Sequence, residues 1–481
     1  MVIMKRDTAW KKYDDKQRRQ IYSFAGEYRN FLSRCKTERE VNDYVVEELR
    51  ADGFMDLDVL IAAGKELKPG DRVYRSNMGK GLAIFQIGTD PIENGMNILG
   101  AHIDSPRLDL KQNPLYEDTN LAMLDTHYYG GIKKYQWVTR PMALHGVIAR
   151  KDGSVVTLNI GEEPDDPVFG VSDLLIHLAG KQMGKKASEV VTGEDLNVLA
   201  GSIPLDTDLS DEEKEKLTDQ QKEALENPVK GWVLHYLKDH YNVDELDLES
   251  AEIEVVPAGP ARDYGFDRSM IMGYGHDDRV CAFPSYKAML ELPETVSRTC
   301  CCLLVDKEEI GSMGATGMQS RFFENTVAEV MDRAGQYRSD LSLRRTLANS
   351  MMLSSDVSAA FDPNYPSVMD KNNCCYLGGG MVINKYTGAR GKSSSNDANA
   401  EYMALIRRVF DDASVSFQTA ELGKVDEGGG GTIAMYMANY GMNVIDSGVA
   451  VLNMHAPNEI ISKVDLHEAL LGYVAFLKNI K

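Results

Sequence analysis

The sequence predicts an α/β fold with a second, strand-bearing domain set into the first. Three observations predict it. Short apolar runs recur along the chain and end in polar, chemically capable residues, as buried strands of an α/β sheet do. Helical segments such as 398–410 flank them. The stretch 107–262 alternates like paired strands and carries none of that catalytic punctuation.

The elements follow in chain order. Residues 97–100 (NILG) run into Ala101-His102-Ile103-Asp104. Within the middle stretch, 143–149 and 155–160 alternate as half-buried strands do. Residues 211–226 (DEEKEKLTDQQKEALE) mix both charge signs on most faces, the pattern of a solvated helix. Residues 299–305 (TCCCLLV) then lead to Asp306-Lys307-Glu308-Glu309, 350–353 (SMML) to Ser354-Ser355-Asp356, and 449–452 (VAVL) to Asn453-Met454-His455. In such sheets the ligand crevice lies beyond the carboxyl ends of the strands. Four runs delivering His, Glu-Glu, Asp and His to that edge form an organised pattern. The domain edges fall near Pro106 and Arg262, giving one domain over 1–106 and 263–481 and an inserted one over 107–262. Residues 428–431 form only a short glycine turn.

Composition excludes several function classes. Of 481 residues, 43% are hydrophobic and 26% charged, the balance of a globular chain and not of a mostly disordered one. Lys plus Arg number 53 against 73 Asp plus Glu, a net charge of −20, which argues against nucleic acid and anionic membrane as partners. No run approaches the roughly 18 apolar residues of a membrane span. The opening MVIMKRDTAWKKYDDKQRRQ has no apolar core, so no secretory leader is expected. The seven cysteines are Cys35, Cys281, Cys300, Cys301, Cys302, Cys374 and Cys375. Neighbouring cysteines on a strand face opposite ways and none shows C-x-x-C spacing. They read as buried, reduced thiols of a cytoplasmic protein.

The chemistry gathers at the strand ends. His102 and Asp104 form H-x-D, in which a carboxylate two residues away can fix the imidazole tautomer. Alone, His102 would read as a satisfied polar residue, and Asp277-Asp278-Arg279 as an exposed turn after GYGH. Glu308-Glu309 resists such a reading. Adjacent carboxylates ending a cysteine-rich buried strand repel and lose hydration unless cations compensate. With one Asp of 277/278, Asp356 and His455, the set holds two imidazoles and four carboxylates, which suits Zn²⁺ and its neighbours. Three ligating carboxylates against two divalent ions leave one positive charge to hold a hydroxide, and the fourth carboxylate is free as a general base. Lys392-Ser393-Ser394-Ser395 reads as a polar loop rather than a Ser–Lys pair. Gly311, Gly314 and Gly317, lacking a Walker lysine, read as close packing at a strand-to-helix turn.

The ordered series GAHIDSPRLDLK (100–111), YGGIKKYQWVTRPMALHGVI (129–148), HDDRVCAF (276–283), DKEEIGSMGATG (306–317), SSDVSAAFDPNYP (354–366) and MHAPNEI (454–460) resembles the aspartyl aminopeptidase/vacuolar aminopeptidase I family of di-metal exopeptidases, over nearly the full chain. The resemblance implies a mixed-sheet catalytic domain and makes the β-rich insertion, 107–262, a dimerisation domain within a tetrahedral dodecamer. It implies two divalent ions per subunit, zinc first with cobalt or manganese as alternatives, and peptides with a free N-terminus as substrates. Position by position, His102 and Asp356 would complete one metal site, Glu309 and His455 the other, and Asp277 would bridge both. Asp277 is preferred to Asp278 because the family's bridging Asp precedes Asp or Asn across a cis peptide. Asp104 would orient His102. Glu308 would take a proton from metal-activated water and pass it to the leaving amine.

Two further segments bear on specificity. VSDLLIHLAG (171–180) resembles a family segment that sends a histidine into the partner's active site; here Asp173 aligns best and His177 is the available histidine. NKYTGARGKSSSN (384–396) carries Lys385, Arg390 and Lys392 without one acid and resembles the family's substrate-binding stretch. An acidic N-terminal residue, Asp or Glu, is therefore expected, gripped by Arg in paired hydrogen bonds or met by Lys as a point charge. A neutral-residue aminopeptidase of the same family is the alternative. An N-acyl amino acid deacylase and a non-catalytic assembly protein are the rivals, and Glu308 argues against the last, since a scaffold needs no base.

Overall fold

The computed structural model describes residues 7–205 and 225–480. The charged segment 211–226 lies outside these residues except for its last two. The chain divides into two compact units, Met1–Ser105 with Ala261–Met454 and Asn458–Lys481, and Pro106–Pro260 with His455–Pro457.

The first unit is built on a nine-stranded sheet. Its centre is four parallel strands in the order Cys300–Val305, Asn97–His102, Met351–Ser354, Asn443–Gly448. Leu82–Gln86 and Met381–Asn384 pair antiparallel on the two sides of that block, so the sheet is mixed. Central strands covered on both faces need apolar side chains in both directions, and the cysteine run supplies them. Cys300, Cys302 and Leu304 enter one core with Phe283 and Phe476, while Cys301, Leu303 and Val305 enter the other with Phe323 and Val327. All seven cysteines are buried free thiols.

Helices cover both faces. Asp15–Arg34 begins with a capping box between Asp14 and Gln17. Ala400–Asp412 starts two residues later than the sequence pattern indicates, because the Asn399 side chain accepts the Tyr402 N–H and caps it. It buries Tyr402, Ile406, Val409 and Phe410, a single helical stripe.

A five-stranded sheet also belongs to this unit, in the order Arg262–Tyr264, Met270–Gly273, Glu459–Ser462, Ala450–Leu452, Ser358–Ala359. Here one expectation is corrected. By its pattern the run 449–452 belongs with the three other strand ends in one sheet, but its strand, Ala450–Leu452, lies in this smaller one. The parallel position in the large sheet is taken by Asn443–Gly448, whose Asp446 and Ser447 interrupt the apolar pattern.

The second unit holds a six-stranded antiparallel sheet, ordered Val155–Ile160, Met142–Ala149, Ala251–Pro257, Arg107–Asp118, Leu121–Tyr129, Val198–Gly201. Among the described residues no helix is long and apolar enough to cross a membrane.

Candidate metal centre

His102 ends the strand Asn97–His102, which lies between Cys300–Val305 and Met351–Ser354. The chain leaving those two neighbours brings Glu308-Glu309 to one side of it and Asp356 to the other. Asp277 and Asp278 come from the first turn of the helix His276–Leu290 and are buried, as is His102. Gly448 makes room for this arrangement: a Cβ there would lie 1.9 Å from the Asp356 carbonyl oxygen.

The donor atoms converge. His102 Nδ1 donates to the Asp104 carbonyl oxygen at 3.0 Å, which fixes the tautomer, and its Nε2 lies 3.1 Å from Asp277 Oδ1. Two groups of ligand atoms gather, each with all members within 4.8 Å of one another: His102, Asp277 and Glu309, and His102, Asp278 and Asp356. His102 is common to both. Asp278, the alternative to Asp277 in the sequence, thus also brings a carboxylate beside His102. Glu308 is in neither group. Neither is His455, which belongs to the second unit, where its Nδ1 lies 2.7 Å from the Gly131 carbonyl oxygen.

Asp104 meets His102 through two groups. Its backbone carbonyl holds His102, while its carboxylate Oδ1 stands 3.4 Å from Nδ1. The two carboxylate oxygens also accept the backbone N–H groups of Glu308 and Glu309, each at 3.2 Å.

The electrostatics call for cations. Burial would lower the His102 pKa, but hydrogen bonds to Asp104 and Asp277 and the Asp278 charge hold it well above the ordinary value. Burial pushes Asp278 well up against the opposing pull of His102, and burial with the Asp278 charge does the same to Asp356. Carboxylates this crowded and dry ionise together only beside compensating positive charge. An imidazole nitrogen among carboxylate oxygens is a donor set that divalent zinc and its neighbours accept. The residues present fit such ions.

The specificity candidates divide. Lys385 and Lys392 both pair with Asp397, at 2.6 and 3.0 Å, and Lys392 Nζ also lies 3.7 Å over the Tyr386 ring. Asp397 stands one residue past the acid-free stretch, so the window hid it. It also leaves no role for Lys392 as the base of a Ser–Lys pair. Arg390 is exposed and makes no ion pair among the described residues. In the second unit His177 is exposed, and Asp173 accepts from Gln182 Nε2 at 2.8 Å. Gly317 is a packing glycine, since a Cβ would meet the Ser312 carbonyl oxygen at 2.4 Å.

Comparison with known proteins adds to this geometry. The sequence profile of the Aminopeptidase I zinc metalloprotease (M18) family matches residues 31–477. A probable M18 family aminopeptidase 1 of Clostridium acetobutylicum is 59% identical over 471 residues, covering 98% of each chain. The crystal structure of an M18-family aminopeptidase from Thermotoga maritima superposes with a TM-score of 0.90 at 42% identity, over 99% of this chain and 100% of that one. The S. cerevisiae mApe1 dodecamer shares the fold, with a TM-score of 0.73 at 20% identity over 95% and 96% of the two chains.

Proposed function

The chain belongs to the M18 family of aminopeptidase I zinc metalloproteases, and from that premise we propose how its residues carry the reaction and which peptides it prefers. It is a metal-dependent aminopeptidase, a hydrolase acting on peptide bonds.

We assign two divalent ions to each subunit, zinc first. His102 and Asp356 would hold one ion, Glu309 and His455 the other, and Asp277 would serve both, with the Asp278 carboxylate close by. The observation that supports this reading is that carboxylates gather in two groups around His102, Asp277 with Glu309 and Asp278 with Asp356. Bound there, the ions supply Lewis acidity and bring the pKa of water towards neutrality. Glu308 takes a proton from the attacking water and returns it to the leaving amine. Asp104 holds the backbone of the Glu pair, so the Glu308 carboxylate keeps its position while the proton moves. The same carbonyl of Asp104 that fixes His102 keeps Nε2 available as a ligand atom.

The preferred substrates are peptides whose free N-terminal residue is Asp or Glu. Arg390 is the cation that supports this preference, because Asp397 already neutralises Lys385 and Lys392. The assembly is a homodimer through 107–262, within a dodecamer like that of the yeast relative, and exposed Leu174, Leu175, Ile176 and Leu178 support it. His177 on the same segment reaches the partner's site. Buried free thiols support a cytoplasmic protein. A panel of Asp, Glu, Leu and Ala anilides, free and N-acetylated, tests the whole reading. Cleavage of free Asp and Glu substrates ahead of the others is expected, and faster cleavage of N-acetylated ones would return the deacylase.

A further inference from the structure

We propose that Glu459 is a positioning residue of the metal centre, holding Asp277 in place through the backbone N–H of that residue. The proposal rests on the reading of Asp277 as a metal ligand.

Asp277 stands in the first turn of its helix with φ −82° and ψ 106°, outside helical geometry. N–H groups of a first turn have no partner within their own helix, and buried ones must find one elsewhere. The Asp277 N–H finds Glu459 Oε2 at 3.0 Å. Glu459 is 1% exposed and opens the strand Glu459–Ser462. That strand pairs antiparallel with Met270–Gly273, Glu459 opposite Gly273, just before the chain turns into Gly275, His276 and Asp277. The register thus sets a carboxylate beside this turn.

The other end of residue 277 is held as well. Ser105 Oγ donates to the Asp277 carbonyl oxygen at 2.6 Å. With N–H and C=O both fixed from neighbouring segments, only the Asp277 side chain retains freedom, and it reaches His102 Nε2 at 3.1 Å. Glu459, a buried acid followed by Ile460 and Ile461, has no role in the proposed chemistry except this one.

Two variants of the full chain separate reach from charge. Glu459→Gln keeps an oxygen at the same reach without the charge, while Glu459→Asp keeps the charge and is one methylene too short. Zinc affinity is measured by chelator competition, alongside kcat, KM and the thermal midpoint of the metal-free protein. Glu459→Gln is expected to hold zinc within about threefold of the parent, and Glu459→Asp to lose about 10–100-fold, as changes next to metal ligands do. The metal-free midpoint of Glu459→Asp should move no more than that of Glu459→Gln. Parental zinc affinity in Glu459→Asp, or a loss in Glu459→Gln as large as in Glu459→Asp, would overturn the positioning role. Asp277→Ala is the control: full zinc binding there removes Asp277 as a ligand, and the proposal with it.

Discussion

The carboxylate of Asp104 accepts the backbone N–H of Glu308 at 3.2 Å, and its second oxygen accepts that of Glu309 at the same distance. One carboxylate thereby holds the backbone of two adjacent acids. Glu309 joins a ligand group and Glu308 does not.

Glu308→Gln keeps side-chain length and both backbone bonds to Asp104 while removing the base. Turnover is expected to fall about 10²–10⁴-fold, with metal content and thermal midpoint retained. Steady-state kinetics with elemental analysis checks this, and near-parental turnover would remove Glu308 from the mechanism.

Arg390→Ala is expected to raise KM for Asp and Glu substrates about tenfold or more, the loss of a paired charged contact, and to spare Leu and Ala substrates. Lys385→Ala and Lys392→Ala should do less, because Asp397 already engages both. If the parent cleaves Leu substrates far faster than Asp or Glu ones, the pocket is apolar and Arg390 has no such part.

Leu174, Leu175, Ile176 and Leu178 expose more than half of their surface within five residues. Such a patch marks an interface. Light scattering should report a multiple of the 53.4 kDa chain, reduced by Ile176→Asp. A monomeric parent at micromolar concentration would contradict the dimer.

Burial pushes the Asp465 carboxyl from 3.8 up to about 8, although the N–H groups of Gly378 and Gly380 favour its ionised form. The folded protein therefore holds a proton that the unfolded chain has released between about pH 4 and 8. This residue's contribution to stability declines as pH rises through that window. Asp465→Asn does not titrate, so its stability relative to the parent should improve from pH 5 to pH 9. Urea midpoints across that range measure it, and a pH-independent difference would refute it.

Much of the fold and of the centre was legible because chemistry-bearing residues sat at the ends of apolar runs. His102, Glu309 and Asp356 each follow such a run, and the structure brings them to neighbouring strand ends. Buried polar residues hid the rest. Asn443–Gly448 escaped the apolar criterion because Asp446 is buried on it, its Oδ1 accepting the Thr432 hydroxyl at 2.6 Å. Spacing could not say whether Asp104 meets His102 through carbonyl or carboxylate, since both lie two residues away. Asp397 stood one residue beyond the segment read as acid-free. Glu459 lies inside MHAPNEI, but its partner, the Asp277 N–H, is 182 residues away in sequence.

The most direct test is a metal titration of chelator-stripped protein, with aminoacyl-substrate hydrolysis recorded at each addition of zinc. Two equivalents per chain should bind, with full hydrolysis only when both are present, and Asp356→Ala should bind fewer. Full hydrolysis by the stripped protein, or saturation of binding and activity at one equivalent, would contradict a two-ion centre built on His102.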